Sequence, residues 1–395
     1  MPSHDGIGRT VRQIRHAKRK SLAVIAGRAG ISVSYLSRIE SGERALDRRS
    51  LIIALAEALE VAPSELTGAG LSSPGLLDED ATLPAVRRAL LAVSLGAPQG
   101  QVQPATLLEA RVGALLDDQR DCRFTAVGET LPGLIRDLHS TLDAGRDVEH
   151  VLRLVALLHV QGTQAWLGDI GASMDLAWQA AALARQAAER LDDPVTSAVA
   201  AFGSAHGLLA AGAVDLAQRQ LSTAHPGTGT PAALAATGML TLTSSLVAAT
   251  AGDRAEQGAA LAEAAALATA APDGLDALWF GFSPGNVGVW RMSVANELGE
   301  HAEAARIGAT VNAETLPSST RRAAFYRELG RAFARLPKRH EQAVQVLRIA
   351  EDLAPARMHR HPFMRSVLAE LLAKARRDAA GRELRGMAYR AGLLG

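Results

Sequence analysis

One cysteine, Cys122, stands in a chain of 395 residues, which excludes an intrachain disulfide framework and any zinc site built on several thiolates. Aromatic residues make up only 4%, and no stretch alternates apolar and polar residues for long enough to build a sheet. Strands favour β-branched and aromatic side chains, so this alanine- and leucine-rich composition points to an all-α fold. Charged residues are few, at 21% against 48% apolar, which excludes a disordered chain and supplies material for a large core. At roughly 150 residues per domain, the length predicts two or three domains. The opening MPSHDGIGRTVRQ has no apolar signal segment, so nothing there marks export and a cytoplasmic protein is expected. The sequence has no phosphate-binding P-loop and no dinucleotide glycine fingerprint, and no cofactor is expected.

Three features imitate other chemistries. From Gln220 to Gly252 there is no Lys, Arg, Asp or Glu, and Leu234 to Ala251 is long enough to span a membrane. Six of those 18 positions are Thr or Ser, and no Trp, Tyr or basic cluster flanks them, so a helix buried among other helices is expected, with no membrane partner. Gly281-Phe282-Ser283-Pro284-Gly285 fits the nucleophile-elbow pattern G-x-S-x-G. The oxyanion hole of such an elbow needs the N–H of the residue after the serine, and Pro284 has none. No catalytic residue is therefore expected. His359 and His361 have no third ligand nearby, so an exposed loop is expected there rather than a metal site.

The net charge of +1 hides an asymmetry: between Arg9 and Arg49 there are eleven Lys or Arg against Glu40, Glu43 and Asp47. A basic block at one end of a near-neutral chain is the electrostatic footprint of a polyanion binder. In the same block Ile7, Val11 and Ile14 repeat at helical spacing. Ser21 is placed to cap a second helix, LAVIAGRAG, whose Gly30 makes a tight turn. Ser32 then caps VSYLSRIES, which ends at Gly42; Ser50 precedes LIIALAEALEV, and Pro63 opens a last turn. Two short helices joined by a glycine turn within a five-helix basic unit describe a helix-turn-helix.

The segment SLAVIAGRAGISVSYLSRIESGER, followed by LIIALAEALEVAPSEL, resembles the XRE (phage-repressor-like) helix-turn-helix family over about residues 7–67. The resemblance implies that the third helix enters the major groove of double-stranded DNA, with Ser32 capping it. Val33, Ser34, Ser37 and Arg38 then face the bases, and Ser41 and Arg44 face phosphate. It also pairs Arg15 with Glu40, making Glu40 structural. Leu22 departs from the family, which commonly has Gln there to support a phosphate contact. The chemistry agrees, because an arginine fork such as Arg38 matches guanine O6 and N7, and Val33 suits a thymine methyl.

After residue 67 the text TGAGLSSPGLLDEDATL is rich in Gly, Ser, Pro and acid, which predicts a linker over 68–83. Pro84 then suits the first position of a helix. Over 84–395 breaks recur at 167–169, 211–213, 251–253, 298–300 and 336–337, about 40 residues apart, each followed by an alanine-rich amphipathic helix such as HAEAARIGATVNAETLP or HEQAVQVLRIAEDLAP. This period resembles degenerate tetratricopeptide repeats; a generic α-solenoid is the alternative. Together with FSPGNVGVWRMSVANELGE and RRAAFYRELGRAFA, it resembles bacterial regulators that join an XRE head to a TPR-like sensor.

That resemblance implies a ligand-responsive, non-enzymatic regulator acting as a homodimer on an inverted repeat; a protein-interaction scaffold or antitoxin-like regulator is the alternative. Trp279, Phe280, Phe282 and Trp290 crowd one short stretch, either as helix-packing aromatics or as a pocket wall. The pocket reading joins Phe282, Asn286, Trp290 and Arg291 to Arg322 and Tyr326 around a peptide or small-molecule effector. Asn286 and Trp290, four apart, share a helix face, whereas Arg291 points about 100° away from Trp290.

Overall fold

A computed structural model describes residues 6–67, 80–271, 276–375 and 378–394, and among them every regular element is helical. The head holds α1 (Ile7–Ala17), α2 (Leu22–Arg28), α3 (Val33–Glu40), α4 (Arg49–Leu59) and α5 (Pro63–Thr67). Its apolar stripes converge: Val11, Ile25, Leu36, Leu46 and Leu55 are fully buried in one core. Burying each such aliphatic side chain contributes about 1.5–3 kcal/mol. Gly8 lets α1 press onto α3, because a Cβ there would stand 2.0 Å from the carbonyl oxygen of Ile39.

Most of the expected linker, residues 68–79, lies outside the described residues. The Asp80 carboxylate accepts from both the N–H and the hydroxyl of Thr82, and the helix Leu83–Ser94 follows with Pro84 in its first turn.

The body is an array of antiparallel helical pairs whose reversals fall where the sequence breaks. Pro194–Ala211 ends at Gly212 and Pro231–Ala251 ends at Gly252, both at φ 81, a left-handed turn that only glycine makes without strain. Pro284–Glu297 ends before Gly299, and Ser319–Arg335 runs out into extended backbone at Leu336. The break at 167–169 is displaced: those residues are the last turn of a helix, and the chain reverses at Gly171.

Two other expectations need correction. HAEAARIGATVNAETLP is not one helix; it stops at Gly308 and resumes as a short 3-10 turn, Ala313–Thr315. His359 and His361 do not lie in an exposed loop. His359 is half-buried against Glu351, and the ring of His361 caps the helix Pro362–Ala373 by accepting from the Phe363 N–H. Between Val148–Leu157 and Ala165–Asp169 the helix widens into a π-helical stretch, Leu158–Gln164, which nothing in the sequence foretold. The long uncharged segment is Pro231–Ala251, and 78% of its most apolar window is buried among neighbouring helices.

Head and body meet along a charged seam centred on residues 45–50. Ala45 N–H donates to Glu370, and Leu46 N–H donates to the Ser366 hydroxyl. The buried Asp47 carboxylate accepts from Arg331 at 3.2 Å and from Arg335 at 2.7 Å, and Arg335 also pairs with Glu370. The expected start of α4 is corrected as well. The helix begins at Arg49, no head side chain caps it, and Glu297 of the body does so instead. Its carboxylate accepts from the N–H groups of Arg49 (3.0 Å) and Ser50 (2.9 Å). A carboxylate on the first N–H groups of a helix also meets the positive end of the helix dipole. This seam fixes how the head sits on the body.

Candidate nucleic-acid interface

The turn between α2 and α3 is built from the capping residues. Ser21 Oγ accepts from Val24 N–H at 3.2 Å and Ser32 Oγ from Tyr35 N–H at 3.1 Å, with Gly30 in left-handed conformation between the two helices. Each cap satisfies an N–H that the helix itself leaves open. Leu36 and Ile39 turn one face of α3 into the core, so the opposite face carries Val33, Ser34, Ser37 and Arg38 to solvent. Val33 is 46% exposed and offers an apolar surface on this face.

Arg38 is exposed and has Glu43 at 4.0 Å, a loose contact that leaves its fork free to turn outward. At the end of α3 the Ser41 hydroxyl donates to the Arg38 carbonyl at 3.2 Å, so the path of the chain there is held locally. Arg44 stands 5.9 Å above the Tyr35 ring.

Beneath this face lies the pair expected between the first and third helices. Arg15 donates to Glu40 from Nε and Nη2, each at 2.7 Å, and from Nη1 to the Lys20 carbonyl at 2.9 Å. Both side chains are buried, and the hydrogen bonds to Glu40 raise the Arg15 pKa above its ordinary value. A bidentate pair in this position fixes the angle at which α3 is presented.

The basic block thus splits in two. Arg9, Arg12, Lys18, Arg19, Lys20, Arg28, Arg38 and Arg44 are exposed or half-exposed on the head, while Arg48 and Arg49 turn to the body, where Arg48 Nε donates to the Glu297 carbonyl at 2.7 Å.

A family model described as a helix-turn-helix domain matches residues 7–67. Residues 7–67 are a helix-turn-helix DNA-binding domain. No curated protein and no solved structure matches the chain.

Of the six expected effector residues, the structure brings three together. Phe282, Asn286 and Trp290 are buried in the body core, with Phe282 laid against the bare Cα of Gly238 and Trp290 meeting the His206 ring edge-on at 6.1 Å. Asn286 is fully buried; its amide donates weakly to Met239 Sδ at 3.9 Å, and its Oδ1 has no partner. Arg291 is exposed, Arg322 turns to Ser319 and Glu314, and Tyr326 packs edge-on against Phe325 in a different cluster. Ser283, the false nucleophile, spends its oxygen on the Asn286 N–H as a helix cap.

A larger concavity of about 820 Å³ lies elsewhere, between Met174–Leu191, Pro194–Ala211 and Val214–Ser222, with Trp178, Leu208 and Leu216 on its walls and Arg185 and Arg219 at its rim. Beside it, Gly207 lacks a Cβ where the Trp178 ring packs.

Proposed function

We propose that the chain is a transcriptional regulator of the XRE type that reads duplex DNA through α3 and answers to an effector held by its helical body. The observation that carries the DNA reading is the outward face of α3, where Val33, Ser34, Ser37 and Arg38 are exposed while the buried Arg15–Glu40 pair holds the helix rigid. In this reading Arg38 contacts a guanine edge, Val33 a thymine methyl, Ser34 and Ser37 neighbouring base edges, and Ser41 and Arg44 the backbone. One head covers half a site, so a homodimer on an inverted repeat follows, with half-site centres about 34 Å or a multiple of one turn apart.

Support for an effector comes from room. The concavity beside Trp178 falls in the size range of small-molecule and peptide sites, whereas Phe282, Asn286 and Trp290 are enclosed and would need the surrounding helices to part.

The test is fluorescence anisotropy of the full chain on duplex DNA at several salt concentrations, with light scattering for its mass. Binding whose logarithm falls steeply and linearly with the logarithm of salt, by a dimer, is the expected result. A monomer at micromolar concentration, free and on DNA, contradicts the dimer. Binding indifferent to salt contradicts the DNA reading.

A further inference from the structure

The seam borders a partly open cleft of about 40 Å³ lined by Arg49 of the head and by Ser293, Arg327, Glu328, Arg331 and His361 of the body. Three guanidinium groups and one carboxylate line it, and the carboxylates of Asp47 and Glu297 reach Arg331 and Arg49 from just outside. The guanidinium of Arg331 is well held, by Glu328 at 2.6 Å and by Asp47 at 3.2 Å. The other two are not. Arg327 reaches the same Glu328 only at 3.3 and 3.4 Å, and Arg49 stands 3.6 Å from Glu297, whose oxygens are committed to the N–H groups of Arg49 and Ser50.

Burial, with Arg357 and Arg331 nearby, lowers the Arg327 pKa to about 10 even though Glu328 opposes the shift. The lining adds two neutral polar groups. His361 Nδ1 accepts from the Phe363 N–H, which puts the ring proton on Nε2 and makes that atom a donor, and Ser293 contributes a hydroxyl.

We propose that this cleft is a binding site for a small oxyanion, a phosphate-sized group, held by Arg49 and Arg327 with Ser293 and His361. A water needs roughly 10–15 Å³ of such space, so the cleft holds about three waters or one tetrahedral anion and has no room for the body of a metabolite. Arginine forks are the side chains best suited to phosphate and carboxylate oxygens. Because Arg49 belongs to α4 and Arg327 to the body, the anion bridges the two, and its arrival tightens the head onto its seat. The binding step is independent of the DNA reading; its effect on DNA affinity rests on that reading.

The test uses the full chain, inorganic phosphate as the probe, and chloride and acetate at matched ionic strength as comparators. In wild type, phosphate broadens its own ³¹P resonance and raises the melting temperature along a saturable curve, with acetate weaker and chloride flat. Arg327→Gln keeps only the gradual rise that phosphate gives any protein through exclusion from its surface. Its saturable component weakens about tenfold or more, the loss of one charge-assisted contact.

Identical curves for wild type and a folded Arg327→Gln overturn the site. Should that variant fail to fold, absence of ³¹P broadening by stoichiometric wild type overturns it alone. A saturable phosphate effect on DNA affinity that Arg327→Gln abolishes establishes the coupling. Phosphate binding by a chain that binds no DNA leaves the site standing and removes the DNA reading.

Discussion

The head carries arginines on two surfaces, and the two obey opposite rules. On α3 and just beyond it, Arg38 and Arg44 have no close carboxylate: Glu43 is 4.0 Å from the exposed Arg38, and the half-buried Arg44 lies over the Tyr35 ring with its Nε unpartnered. Along the seam, the buried Asp47 sits between Arg331 and Arg335, and its charge is engaged by both. Burial alone pushes the Asp47 carboxyl up, yet Arg335 and Arg331 bring it down to about 2. An exposed cation is cheap to keep and available to a polyanion, whereas a buried one is tolerable only with a partner. In the proposed reading the first surface is the one open to a polyanion. The second ties the head to the body.

Substitutions that break this contrast should rank by burial. Asp47→Ala takes from Arg331 and Arg335 one of the two carboxylates each has in the seam and should cost about 3 kcal/mol or more, read from urea melts of the full chain. Glu40→Gln leaves Arg15 half-partnered inside the head and should cost about 3 kcal/mol by the same measurement; a loss under about 1 kcal/mol means the pair acts as an exposed one.

On the open surface nothing comparable is expected. Arg44→Ala should leave stability within about 0.5 kcal/mol and flatten the salt dependence of DNA binding by about one unit.

Acid should weaken the body through groups that stay neutral when buried. Burial lowers the pKa of both His139 and His206 to about 4. The unfolded chain binds more protons at these sites below about pH 6.5, so stability falls as pH drops from there toward 4, by about 1 kcal/mol per residue over the first unit. His139→Gln should flatten that slope; an unchanged slope contradicts the assignment.

What could be read in advance was what neighbouring residues decide among themselves. Ser21 and Ser32 cap helices three residues into their own sequence, and the glycine breaks at 212 and 252 need no distant partner. Family likeness supplied the Arg15–Glu40 pair, which spacing alone does not dictate.

The features that escaped are those whose partners lie far along the chain. Glu297 caps α4 from 247 residues away, and Glu370 takes the Ala45 N–H across 325. No local pattern marks Asp47 as buried. Of the residues expected at an effector site, Asn286 and Trp290 could be placed on one helix face; that the face would be sealed inside the core depends on packing by Gly238 and His206 from other helices.

The most direct test of α3 as the reading element is a selection of preferred duplexes from a random pool, run in parallel for the full-length wild type and Arg38→Ala. Wild type should enrich a two-fold symmetric motif with a required guanine in each half. Arg38→Ala should accept any base at that position and lose about 1–3 kcal/mol on the wild-type site while binding unselected DNA nearly as before. The same motif, recovered with the same affinity by Arg38→Ala, would contradict the account.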